Sequence, residues 1–147
     1  MRELLISSFK ETDRPVLREI YLRVRSSTFT WMDQNYLAQA SFDDDTAGEE
    51  ILVASINNQP VGFISIWLPD SFLHHLYILP SHQRQGIGKA LIQKAQEMVE
   101  EPLTLKCLDL NEGAMNFYLN NGWKKVSQGT SNEGKYTLLK FYNFNFS

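Results

Sequence analysis

The chain of 147 residues has little of what builds a secreted, membrane-spanning or nucleic-acid-binding protein. It contains one cysteine, Cys107, which cannot form an internal disulfide. That lone thiol and three histidines (His74, His75 and His82) give no paired ligand spacing for a structural zinc site, so no metal is expected. No apolar run approaches the ~20 residues of a membrane span. The opening MRELLISSFKETDR is interrupted by charge too early for a signal peptide. Fourteen Lys and Arg against 17 Asp and Glu leave a net charge of -3, without the basic excess that binds phosphate backbones. These absences together lead us to expect a reducing cytoplasm, with no membrane and no nucleic acid as partners.

What is present suits a folded domain. Apolar residues make up 43% and charged ones 21%, and 9 Phe, 3 Trp and 6 Tyr supply bulk for a core, so one domain is expected over residues 1–147. Cys107 lies in the apolar run LTLKCLDL and reads either as a small buried strand residue or as a reactive thiol.

Periodicity predicts a short strand over Glu3 to Phe9, then a helix from Pro15 to Ser26, with Leu17, Ile20, Tyr21 and Val24 at i, i+3, i+4, i+7. Residues 27–49 carry scattered aromatics and the acidic run from Asp43 to Asp45, expected to form a short second helix and an acidic loop. Strands follow over Ile51 to Ile56 and Val61 to Trp67, joined by Asn57 and Asn58, and over Phe72 to Leu79. A helix from Gly86 to Glu100, a strand from Leu103 to Leu108, a helix from Glu112 to Asn121 and strands over Trp123 to Ser127 and Tyr136 to Tyr142 complete the pattern. This order predicts an α/β fold with a mixed, mostly antiparallel sheet and helices on both faces. The tail from Phe141 to Ser147 alternates aromatic and polar residues and reads as a strand extension or as a partner strand in a homodimer.

The stretch LYILPSHQRQGIGKA, from Leu76 to Ala90, carries the chemistry. An apolar strand stops at Pro80, and a polar loop runs into two glycines that open an amphipathic helix. The free N–H groups and partial positive charge of such a helix start bind anions, and Arg84 and Lys89 add charge. Two phosphate motifs are excluded. The nucleoside triphosphate loop needs Ser or Thr where Ala90 stands and Gly where Gln83 stands, and the dinucleotide fingerprint needs a third glycine where Leu91 stands. An ordinary strand-to-helix turn remains the alternative.

A second segment, NEGAMNFYLNNGW from Asn111 to Trp123, adds specificity. Gln83-x-x-Gly86-x-Gly88, followed by Asn111-x-x-Ala114-x-x-Phe117-Tyr118-x-x-x-Gly122-Trp123, resembles the acetyl-CoA signature of the GCN5-related N-acetyltransferases. The resemblance implies that acetyl-CoA is the co-substrate and a primary amine the acceptor. It assigns Ile78 and Leu79 to the strand that pairs with pantetheine and the backbone of Gln83, Arg84, Gln85, Gly86, Ile87, Gly88 and Lys89 to the pyrophosphate. Asn111, Ala114 and Phe117 fall beside the cofactor, and Asn111 either caps its helix, contacts pantetheine, or does both.

Acetyl transfer from a thioester requires a neutral amine and a proton for the departing thiolate. The family's general acid matches Tyr118, whose reference pKa of about 10 exceeds the thiol's of about 8.5. His74 is the favoured base and His75 the second candidate, because strand alternation sends them to opposite faces. Solvent taking the proton, with neither histidine catalytic, is the third possibility. The resemblance assigns Phe29, Trp31, Tyr36 and Tyr136, beside the acidic run, to the acceptor pocket, and a solvated acidic loop over core aromatics is the competing interpretation. A non-catalytic acyl-CoA sensor or a binder of another phosphate ligand would share the cofactor motif.

Overall fold

The computed structural model describes residues 3–142. Its elements are β1 (Leu4–Ser8), α1 (Arg14–Thr28), α2 (Gln34–Ala38), α3 (Phe42–Asp45), β2 (Glu50–Ile56), β3 (Gln59–Trp67), β4 (Phe72–Ile78), α4 (Ile87–Gln96), β5 (Thr104–Leu108), α5 (Glu112–Asn120), β6 (Trp123–Ser131) and β7 (Gly134–Phe141). The strands form one mixed sheet in the order β1-β2-β3-β4-β5-β7-β6, and only the β4–β5 pairing is parallel. Phe141 closes β7, and the rest of the alternating tail, residues 143–147, lies outside the described residues.

The apolar stripe expected on α1 packs as its spacing requires. Leu17, Ile20, Tyr21 and Val24 are buried against Ile51, Val53 and Phe63, each contributing about 1.5–3 kcal/mol. The opposite face of the sheet carries the larger core, with Ile87, Leu91, Ile92 and Ala95 of α4 and Tyr118 of α5 over Ile64, Ile66, Leu105 and Leu139. The β2–β3 turn places Asn57 and Asn58 at φ 51° and 70°, the two successive positive values that a tight right-twisted hairpin demands.

Strand β6 runs to Ser131, four residues past the expected end, and two further differences from the sequence expectation have local reasons. The acidic run forms α3, because the Ser41 side chain accepts from Asp44 N and three carboxylates sit in the first turn. Helix α4 stops at Gln96, whose buried side chain donates to Glu101 O and accepts from Leu103 N, drawing the chain into β5.

Between β3 and β4 the register runs Ser65 opposite His75 and then Ile66 opposite Leu73, which leaves His74 as an extra residue. Such a bulge breaks alternation. Beyond Phe72 opposite Thr104, β4 and β5 have no further paired positions, so the strands part toward Ile78.

Candidate active site

The parted strands open the sheet at its centre. Gln83 closes the following loop by donating from Nε2 to Ile78 O at 3.0 Å. Arg84 and Gly86 take φ values of 63° and 82°. Gly86 is the N-cap of α4, and Ala90 N to Gly86 O is the first bond of the helix, so the N–H groups of Ile87, Gly88 and Lys89 face the loop. A Cβ on Gly88 would lie 3.2 Å from Phe117 Cζ and 3.7 Å from Leu76 Cδ2. That missing side chain lets α4, α5 and β4 meet closely. Loop, helix start and open strand edge form the donor set that a pyrophosphate and an amide-bearing arm require, so the cradle fits coenzyme A.

Asn111 caps α5, its Oδ1 accepting from Ala114 N at 3.4 Å. Ala114 and Phe117 pack on the larger core. Tyr118 is 8% exposed, its ring 5.4 Å from Trp123. Burial, with Cys107 and Tyr77 nearby, raises its pKa far above the ordinary phenol value, so its proton is held. Cys107 is buried in β5, and burial, with Asp109 beside it, pushes its thiol up to about 11, so it is no thiolate near neutrality.

The bulge corrects the expectation that His74 and His75 point to opposite faces. Their rings lie side by side, centroids 3.8 Å apart and planes 32° apart. They differ in exposure and partner. The His74 side chain is 42% exposed, with Nδ1 2.7 Å from Glu49 Oε2, and Glu49 is only 7% exposed. His75 is buried, with Nδ1 2.8 Å from Ser65 Oγ. Burial, then His74 and Arg25, hold the His75 pKa well below the ordinary histidine value, so it is neutral near pH 7. Glu49 Oε1 is buried without a hydrogen-bond partner among the described residues, a cost that functional sites retain. Among those residues Glu49, His74 and His75 are the one set within reach of a shared cation. The 2.7 Å contact is a hydrogen-bond length, short of the roughly 3.4 Å edge between two ligands of a tetrahedral metal.

Composition and motif gave no signal for Glu49. Only the register reveals it, since Glu50 stands opposite Ile66 and Ile66 opposite Leu73, which puts residue 49 across β3 from the bulge.

On the α1 side, Arg25 is buried, with its guanidinium 5.3 Å from the Tyr21 ring and 5.5 Å from the Phe29 ring. It donates to Tyr77 Oη and lies 3.6 Å from Glu133, at the tip of the β6–β7 hairpin. Tyr36 donates to Glu133 at 2.9 Å, and Trp31 stacks edge-on against Phe29. Phe29, Trp31 and Tyr36 are thus brought together around Arg25 and Glu133. Tyr136 lies on β7 beneath Lys106, 5.1 Å from ring to Nζ. The acidic run is bound within the fold, Asp43 to Arg14 and Arg18 and Asp45 to Tyr21.

Residues 15–123 match the Acetyltransferase (GNAT) family. The chain is 27% identical over 125 residues to the peptidyl-lysine N-acetyltransferase YiaC of Escherichia coli, covering 83% of this chain and 84% of that protein. It is 28% identical over 135 residues to the uncharacterized N-acetyltransferase YafP of the same organism, covering 87% and 86%. The PaiA N-acetyltransferase of Thermoplasma acidophilum, solved with coenzyme A, shares the fold at TM-score 0.81 and 18% identity, over 95% of this chain and 99% of that one. The chain therefore belongs to the acetyltransferase (GNAT) family and is an acetyl-CoA-dependent N-acetyltransferase.

Proposed function

We propose that acetyl passes directly from coenzyme A to a primary amine in a ternary complex, with His74 as base, Glu49 as its positioning residue and Tyr118 as acid. The observation that carries this is the 2.7 Å contact between a half-exposed imidazole and a buried carboxylate. An ionised carboxylate only accepts, so Nδ1–H donates to Glu49 and Nε2 keeps the lone pair that takes the ammonium proton. The neutral nitrogen attacks the thioester carbonyl. As the C–S bond breaks, Tyr118, protonated near neutrality, gives its proton to the departing sulfur, and the proton that the acylated nitrogen then sheds restores the phenol. Loop 83–89 binds the pyrophosphate through backbone N–H groups, and Ile78 and Leu79 pair with the pantetheine arm. Phe29, Trp31, Tyr36 and Tyr136 border the acceptor side. The thiol pKa of Cys107, about 11, favours direct transfer over a cysteine relay.

Thiol release from acetyl-CoA, measured across a panel of amines and peptides, tests the assignment. Tyr118→Phe is expected to lower turnover by about 10²–10⁴-fold with acetyl-CoA affinity kept. An unchanged turnover number removes Tyr118 from the acid role. Thiol release at background with every amine, alongside tight acetyl-CoA binding, makes the chain an acyl-CoA sensor instead.

A further inference from the structure

Arg25 carries a guanidinium that the fold leaves half used. It lies in the last turn of α1, buried but with its side chain still 11% exposed. Nη1 donates to Tyr77 Oη at 3.3 Å, whereas Nη2 lies 3.6 Å from Glu133 Oε2, an ion pair longer than a hydrogen bond. Nε is buried with no hydrogen-bond partner among the described residues. In a planar guanidinium Nε and Nη2 share one edge, so one edge of the fork is anchored and the other lacks an acceptor.

Glu133 is badly placed to fill that edge. Its Oε2 is shared, accepting from Tyr36 Oη at 2.9 Å while it touches one corner of the guanidinium. The Tyr21 and Phe29 rings, 5.3 and 5.5 Å from Arg25 Cζ, leave the edge without an oxygen. A buried guanidinium that served structure alone would be matched by a fixed bidentate carboxylate, because its desolvation is costly. Arg25 also stands near the chemistry. The Tyr21 ring lies 5.3 Å from the His75 ring, and the His75 ring 3.8 Å from that of His74.

Resting on the acceptor side assigned above, we infer that Arg25 binds a carboxylate carried by the acceptor itself. The two carboxylate oxygens accept from Nε and Nη2, Glu133 moves off Nη2 and keeps Tyr36, and the amine at the far end of the acceptor reaches His74. One monoanion replaces another, so the charge around Arg25 stays balanced. A phosphate dianion would add a surplus negative charge beside Glu133. The steps from guanidinium to Tyr21, His75 and His74 call for an amine and a carboxylate joined by a flexible chain of several bonds, as in the side-chain amine of a lysine that keeps its α-carboxylate.

The test compares α-N-acetyl-lysine with its carboxamide, which differ in the carboxylate alone. The acid is expected to exceed the amide in kcat/KM by about 10–100-fold, mostly through KM. Arg25→Met is expected to erase that ratio, and Arg25→Lys to keep part of it, since an ammonium retains the charge but not the fork. Stabilisation by coenzyme A checks that both variants are folded. Glu133→Gln keeps an acceptor for Tyr36 and removes the competing charge, so KM for the acid is expected to fall about threefold, a gain that a purely structural bridge would not give. Equal kcat/KM for acid and amide overturns the inference, as does an acid preference that survives Arg25→Met. Better turnover of an aminohexyl phosphate than of α-N-acetyl-lysine overturns it in favour of a phosphate site. A peptide ending in lysine with a free α-carboxylate that matches α-N-acetyl-lysine upholds it and assigns the carboxylate to a chain end, whereas turnover of the small acid alone upholds it for a free amino acid. Calorimetric titration of acid and amide into the coenzyme A complex reads binding without chemistry. Acid-selective binding without turnover of any amine overturns the catalytic assignment and upholds the inference, whereas equal turnover of acid and amide does the reverse.

Discussion

A single extra residue in β4 decides where each imidazole stands. Without the bulge, His74 and His75 would point apart. With it both gather beside Glu49, one half-exposed and the other buried. Replacing Glu49 by Gln keeps the shape but removes the charge that fixes Nδ1–H, so kcat is expected to fall about tenfold or more with KM for acetyl-CoA unmoved. His74→Ala is expected to flatten the acid limb of the pH–rate profile, and His75→Ala to leave that limb in place. A limb that survives His74→Ala ends the base assignment. His75 has a separate signature in stability. Its folded pKa lies well below the unfolded value of about 6.5. Below that pH the unfolded chain binds a proton that the folded one refuses, and stability falls as pH drops, by up to about 1.4 kcal/mol per pH unit. Urea melts at pH 7 and pH 5 are expected to show this loss in the wild type and a smaller one in His75→Gln. An equal loss in both would assign it to other groups.

Elements with a regular apolar period were legible in the sequence. The stripe of α1, the strands around Asn57 and Asn58 and the order of the later elements follow from spacing alone. So does the glycine loop, because its chemistry is local: a strand end, a helix start and the residues between them are contiguous. Glu49, Arg25 and Glu133 were not legible, since each acts on a partner far away in the chain. The bulge left only a faint trace, the two adjacent polar residues between Leu73 and Leu76 that interrupt apolar alternation. The start of α4 gives the element-scale prediction. Gly86 caps that helix at φ 82°, and a Cβ there would have nothing within 4 Å. Gly86→Ala therefore meets no clash and is expected to cost about 1–2 kcal/mol from the left-handed backbone alone. Relaxing that strain would turn the N–H groups of Ile87 and Gly88 and weaken coenzyme A binding. Calorimetric titration reads the affinity, and an unchanged affinity with lowered Tm would mean that the cap serves stability only.

At the scale of the molecule, the two ends of the chain's order meet over the cleft. Arg25 lies in the last turn of α1, Tyr36 belongs to α2, and both hold Glu133 at the hairpin tip. This contact ties the α1 side of the sheet to β6 and β7, next to the place where β4 and β5 part. Arg25 is the buried partner, with its side chain 11% exposed against 32% for Glu133, and its Nε has no hydrogen-bond partner among the described residues. Removing Glu133 leaves that guanidinium with Tyr77 and two aromatic faces but no ion-pair partner among the described residues. Glu133→Ala is thus expected to lower stability by about 1–2 kcal/mol, below the cost of breaking a fully buried pair because solvent reaches the carboxylate. Arg25→Met in the same chain removes the stranded charge while keeping apolar contact with Tyr21 and Phe29, and is expected to restore most of the loss. A double-mutant cycle read by urea unfolding separates these effects. Additive losses would show that the hairpin is held by the β6–β7 ladder alone and that the bridge contributes nothing to closing the cleft.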